Sequence, residues 1–233
     1  MSEDRVTRTA AATHGTPLGW RYFDETLATA VPVTSLAHAA TVAAALTQRV
    51  GPEADELLFL DLRPRAVLLR VMGVTTGQLG PAGLALVSTL SAEVAGLGLT
   101  TTPRPDPGAV PGSGAAAVHR IDLAIDALDI PALVPFWEAV LGYVRSPVCD
   151  VDLVDPFGSG PLVWFQQMDA PRPQRNRIHL DVLVGEDEAQ TRVAAALAAG
   201  GRLLSDAAAP AFWVLADVEG NEACVCTWQG RSD

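Results

Sequence analysis

The stretch RIHLDV at residues 177–182 has a near copy, RIDLAI, at residues 120–125, and this repeat decides how the second half of the chain is read. Both alternate apolar with polar residues, as a strand with one buried face does, and both place one polar residue in the same slot: His179 in the later copy, Asp122 in the earlier. The earlier copy leads into PALVPFWEAVLG (131–142), a short helix stopped by Gly142, and then into strand-like segments at 150–154 and 161–168. The later copy restarts the order with RIHLDVLV, a helix from Glu186 to Ala199 closed by Gly200 and Gly201, and strands near 202–205, 211–216 and 222–228. A strand, a helix and further strands therefore occur twice, which reads as a duplicated module.

Upstream of the first copy, TTPRPDPGAVPGSGAAA (101–117) combines four prolines with several glycines and excludes both helix and strand, so it reads as a linker. Before it, WRYFDETLATAVPV (20–33) alternates like one or two strands. TSLAHAATVAAALTQRV (34–50) is an Ala-rich helix with Thr34 or Ser35 as N-cap and Gly51 as its stop. LLFLDL (57–62) and AVLLRVMGV (66–74) flank RPR as a hairpin, and a second helix opens at Pro81 and runs to Leu97. The expected fold class is α+β in two domains, over residues 18–100 and 118–233, joined by the linker at 101–117 and preceded by a disordered tail at 1–17 that includes His14.

With 233 residues and 49% hydrophobic content, the chain has enough apolar material for two cores. Its sixteen basic residues are all Arg and face 27 acids, a net charge of −11 that repels polyanions, so no nucleic-acid partner is expected. Three cysteines, Cys149, Cys224 and Cys226, are too few for a secreted disulfide framework. No signal peptide or membrane-length apolar run occurs, and a cytoplasmic location is expected with no membrane partner.

DLAIDALDIPALVPFWEAVLGY (122–143), NRIHLDVLV (176–184) and LADVEGNEACVC (215–226) together resemble the glyoxalase/bleomycin-resistance/extradiol-dioxygenase superfamily, the vicinal oxygen chelate proteins. The resemblance implies paired βαβββ modules curled into a cup, with one inward residue from each first and each last strand able to hold a divalent metal. Carried over position by position, those slots fall on Asp122 and His179, on Cys224, and on Gln166 or, alternatively, Gln167 in LVWFQQM (162–168). Asp, His and a thiolate suit Zn²⁺ or a similar ion. Asp181, on the strand face of His179, is the candidate general base, and Trp137 and Trp164 are candidate lining residues. Each has an ordinary alternative: a hydrogen-bonded histidine, core cysteines at 224 and 226, an Asp122 paired with Arg120 or Arg177, and tryptophans packed as core. A metal-free cup holding a small organic molecule is the favoured state.

Residues 18–99, through VLLRVMGVTTGQLGPAGLALVSTLSAEVAGLG (67–98), resemble pterin-4a-carbinolamine dehydratase, with a pterin as the implied ligand. The histidine positions implied by that family fall on Glu56-Leu57-Leu58 and on Val74, and none is histidine. A leucine moves no proton, which leaves Glu56, near Asp55 and Asp61, as the one replacement base, set against its reading as part of a solvated acid cluster. Three functions follow: a glyoxalase-like protein binding or transforming a small metabolite beside a degenerate dehydratase-like domain, a 4a-hydroxytetrahydrobiopterin dehydratase with altered acid–base groups, or a ligand-sequestering protein of the drug-resistance type. An active protein would be a lyase or an isomerase, and a homodimer is compatible with both resemblances.

Overall fold

Ser35 begins the helix of the Ala-rich run: its hydroxyl accepts from the His38 N–H at 3.1 Å, and Gly51, with φ +68°, ends the helix where a side chain would be strained. A computed structural model describes residues 6–23, 25–73, 77–103, 118, 120–171 and 178–230, and divides the chain into units 1–120 and 121–233. Both units mix helix with sheet, as the α+β reading expects. Among the described residues no helix is long and apolar enough to cross a membrane.

In the first unit α1 (Arg8–Gly15) precedes β1 (Arg21–Phe23), β2 (Thr26–Pro32), α2 (Leu36–Val50), β3 (Leu58–Arg63), β4 (Ala66–Val71) and α3 (Pro81–Gly96). The four strands form an antiparallel sheet in the order β1-β2-β4-β3. One face of that sheet, including Leu27, Val31, Val67, Leu69 and Val71, buries against Val42 and Leu46 of α2 and Val87, Leu90 and Val94 of α3. Two expectations are corrected here. Residues 8–15 are helical, Ala11 is buried, and His14 Nε2 sits 3.0 Å from the Leu84 carbonyl oxygen and 2.9 Å from Ser88 Oγ on α3. The start of the presumed linker belongs to the sheet region: Thr102 bridges to Ala30, and Thr101 Oγ1 donates to the Leu18 carbonyl at 2.7 Å. Residues 104–117, like Val74 and Arg177, lie outside the described residues.

The second unit repeats one topology. β5 (Asp122–Ala127), α4 (Ile130–Leu141), β6 (Val144–Arg145), β7 (Leu153–Val154) and β8 (Leu162–Gln167) form the first module. β9 (Leu180–Leu183), α5 (Ala189–Ala198), β10 (Arg202–Ser205), β11 (Phe212–Ala216) and β12 (Glu222–Cys226) form the second. The sheet orders are β5-β8-β7-β6 and β10-β11-β12-β9, so in each module the first strand lies parallel beside the last. Asp129 caps α4 by accepting from the Ala132 N–H at 3.3 Å, and Gly142 terminates it at φ +71°.

A single core serves both modules. Leu133, Phe136, Trp137 and Val140 of α4 and Val193 and Ala196 of α5 pack with Ile125, Val163, Phe165, Leu215, Ala223 and Val225 of the two sheets. Gly201 allows close approach, since a Cβ there would stand 2.4 Å from the Phe136 ring.

Candidate functional site

Because strand side chains alternate, burying Leu180, Val184, Ala223 and Val225 in the shared core turns His179, Asp181 and Leu183, together with Glu222, Cys224 and Cys226, to the opposite face. β9 and β12 are parallel neighbours in the register Cys224↔Asp181 and Cys226↔Leu183. On β11, Trp213 and Leu215 take the core, which leaves Phe212 on the outer face opposite Cys226. A polar group formed by His179, Asp181 and Cys224 thus continues along one sheet face into an apolar stretch of Leu183, Cys226 and Phe212.

His179 Nε2 lies 3.2 Å from Asp181 Oδ1, and one ligand atom from each of His179, Asp181 and Cys224 falls within 4.8 Å of the others. The side chains of His179 and Asp181 are half exposed, at 50% and 53%, whereas Cys224 is buried. Burial first, and then the neighbouring Asp181 carboxylate to which the thiol donates, push the Cys224 thiol up to about 11. Cys224 is accordingly a neutral thiol near pH 7 and a poor nucleophile as it stands. At that distance the Asp181 carboxylate stands against Nε2 and orients the imidazole ring.

The other expected site residues lie elsewhere. Asp122 and Gln166 occupy the outer face of the β5–β8 sheet, on strands different from those of His179 and Cys224, and Asp122 is not part of the three-residue cluster. The four-residue set Asp122, Gln166, His179 and Cys224 is therefore corrected: two of its members meet, and Asp181 joins them. Gln167 points to the other side of β8, where its Nε2 donates to the Leu128 carbonyl at 2.9 Å. Trp137 is a core residue at 2% exposure and does not line the outer face, while Trp164 is half-buried on the outer face of β8. Glu56 is exposed in the turn before β3 of the first unit, and Asp61 is ion-paired with Arg63 at 2.8 Å.

For a divalent ion, the imidazole nitrogen, carboxylate oxygen and sulfur of the cluster make a chemically suitable donor set, whereas Asp122 and Gln166 are not among the grouped ligand atoms. Sequence reasoning missed what the D-x-E-G-N-E turn does. Asp217 is buried and accepts from Trp137 Nε1 at 3.0 Å, from Asn221 Nδ2 at 2.8 Å and from the Glu219 and Asn221 backbone N–H groups at 2.9 Å. Glu219 accepts from the backbone N–H of Leu128 at 2.9 Å and of Asp129 at 2.7 Å at the start of α4. That turn of the second module is a clasp on the helix of the first. The run of Asp, Glu and Asn around Gly220 is the sequence signal for a side-chain-bonded turn, although its distant partners are not legible in it.

A family model described as a glyoxalase-like domain matches residues 122–226. No curated protein matches the chain. Among solved structures, a glyoxalase-related enzyme from Fulvimarina pelagi is 16% identical over 47% of this chain and 88% of its own, with a TM-score of 0.37. The fosfomycin resistance protein FosX from Mesorhizobium loti is 10% identical over 46% and 90%, with a TM-score of 0.38. FosX from Listeria monocytogenes, in complex with Mn(II) and sulfate, is 8% identical over 48% and 91%, with a TM-score of 0.39. Likenesses this distant leave the chemistry of the site to its own residues. The family match does not extend to the first unit, where the dehydratase resemblance gains no support. By its matched residues and its twice-repeated strand–helix–strands topology, the segment 122–226 is a glyoxalase-like domain.

Proposed function

We propose that the glyoxalase-like domain binds a small organic metabolite against the outer face of the β9–β12 sheet and moves a proton on it with His179. The observation that carries this reading is the convergence of His179, Asp181 and Cys224 within 4.8 Å, with His179 and Asp181 half exposed and Cys224 buried beneath them. Asp181 orients the imidazole and stabilises its charged form once it has taken a proton. The Cys224 thiol, kept protonated by burial and by Asp181, holds Asp181 in place by its hydrogen bond and takes no covalent part. Leu183, exposed at 75%, and Phe212 offer an apolar surface beside the polar group. The ligand class is then a compact molecule with an apolar body and a carbonyl or hydroxyl group at one end. If a divalent ion is held by His179, Asp181 and Cys224, it would supply polarisation of that carbonyl.

Ligand-observed NMR of the purified chain with small 2-oxo and 2-hydroxy compounds bearing apolar substituents tests the reading. Binding that disappears in His179→Ala supports it. Binding that persists unchanged in His179→Ala and Asp181→Asn defeats it.

A further inference from the structure

We infer that Trp228 sets the specificity of the small-molecule site: the apolar body of the ligand ends in a flat aromatic ring that stacks on the indole, a reading that rests on the function proposed above. Trp228 lies two residues beyond Cys226, and the alternation that turns Cys224 and Cys226 to the outer face turns it there too. Thr227, between them, fixes the phase. It is buried, its N–H donates to the Ala211 carbonyl at 2.9 Å and its hydroxyl to the Pro210 carbonyl at 2.6 Å, so the backbone stays tied to the approach to β11 beyond the end of β12. Trp228 itself is 69% exposed. Since Cys226 stands beside Leu183 and opposite Phe212, Trp228 is next along the apolar stretch that begins at the group of His179, Asp181 and Cys224.

An exposed tryptophan is by itself ordinary; this one differs in being held. Its indole N–H donates to Glu186 Oε2 at 2.9 Å, a bond that also holds the Glu186 carboxyl below its ordinary value. With the N–H taken, the side chain offers a ligand its ring face, which favours offset stacking of another flat ring. The approach from the polar group passes Leu183 and Phe212, which carry no charge, so a ring on an apolar spacer suits it better than a cation. Spacing then sets the length. A strand rises about 3.3 Å per residue, which makes the step from Cys224 to Trp228 about 13 Å along the backbone. A ring joined close to the carbonyl falls short of the indole, and one carried on a spacer of several methylenes reaches it.

The test is a ligand-observed NMR titration of the full-length chain with neutral methyl ketones: one with a phenyl ring two methylenes from the carbonyl, one with the ring four methylenes away, and the cyclohexyl counterpart of each. The expected result is that the long phenyl ketone binds about 3- to 10-fold more tightly than its cyclohexyl counterpart, the usual worth of an aromatic pair, while the short pair bind alike. Trp228→Ala removes the preference, and Trp228→Phe keeps it. Glu186→Ala, which frees the indole to turn, lowers it, and Glu186→Gln, whose amide oxygen still accepts the N–H, preserves it. Both positions are exposed, so these variants leave the core intact. Three results overturn the inference: a phenyl preference that is absent from the native chain or survives Trp228→Ala, tighter binding when a trimethylammonium group replaces the ring, and a ligand-free dimer that Trp228→Ala dissociates. Ketones that bind through His179 without the preference defeat this inference alone. Binding by none of them, or binding unchanged in His179→Ala and Asp181→Asn, defeats the function proposed above as well.

Discussion

Trp137 donates its indole N–H to Asp217 across 3.0 Å, and both residues are buried, so the helix of the first module is hydrogen-bonded to the turn of the second inside the protein. Replacing Asp217 by Ala strands the indole N–H and removes the acceptor of three further donors. We predict a loss of about 3 kcal/mol or more in the stability of the second unit, read from urea unfolding of the full chain. Trp137→Phe leaves Asp217 its other partners, and its smaller cost separates the hydrogen bond from the turn.

Gly201 and Gly220 separate two reasons for glycine. At Gly201 the backbone is ordinary but a Cβ would meet Phe136, so Gly201→Ala costs about 1–3 kcal/mol through overpacking. At Gly220, with φ +94° and no neighbouring atom, Gly220→Ala meets only backbone strain, about 1–2 kcal/mol. A Phe136→Leu background relieves the first substitution only in part, since the Ala196 carbonyl would still stand 2.8 Å from the new Cβ, and leaves the second unchanged, which thermal unfolding of the double variants will show.

The Cys224 thiol gives a pH dependence with a definite sign. In the metal-free folded chain its value is raised to about 11 from an ordinary 9.0, so its contribution to stability is fully present below pH 9 and is lost as pH rises from there through about 11. Iodoacetamide at pH 8 should label the half-buried Cys149 well before Cys224. Asp181→Asn removes the neighbouring negative charge, shifts Cys224 labelling to lower pH, and is followed by mass spectrometry of the modified peptides.

His14 fixes α1 to α3 through Leu84 and Ser88. His14→Ala should cost about 1 kcal/mol and lower amide-exchange protection in residues 8–15 without touching the second unit. Unchanged protection would show that Ala11 packing alone holds the helix.

Local pattern made much of this architecture legible. The period-two alternation of RIDLAI and RIHLDV sets which side chains share a sheet face, and Asp129, Ser35, Gly51 and Gly142 mark helix ends by their own backbone and capping preferences. The same alternation puts Asp181 on the strand face of His179. The helix at 8–15 was not legible, because an Ala-rich segment without a strong apolar stripe is stabilised by docking rather than by its own propensity.

Sequence alone determined the repeat, the face on which each candidate residue stands, and the chemical kinds available there, since all three follow from side-chain identity and the two-residue period of a strand. Tertiary structure decided which faces meet. The modules join through α4, α5 and the Asp217 clasp, and their first strands β5 and β9 lie in separate sheets, so Asp122 stays apart while Asp181 completes the cluster with His179 and Cys224. That choice depends on long-range packing between segments about 80 residues apart, as with Trp137 and Asp217, and no local period encodes it.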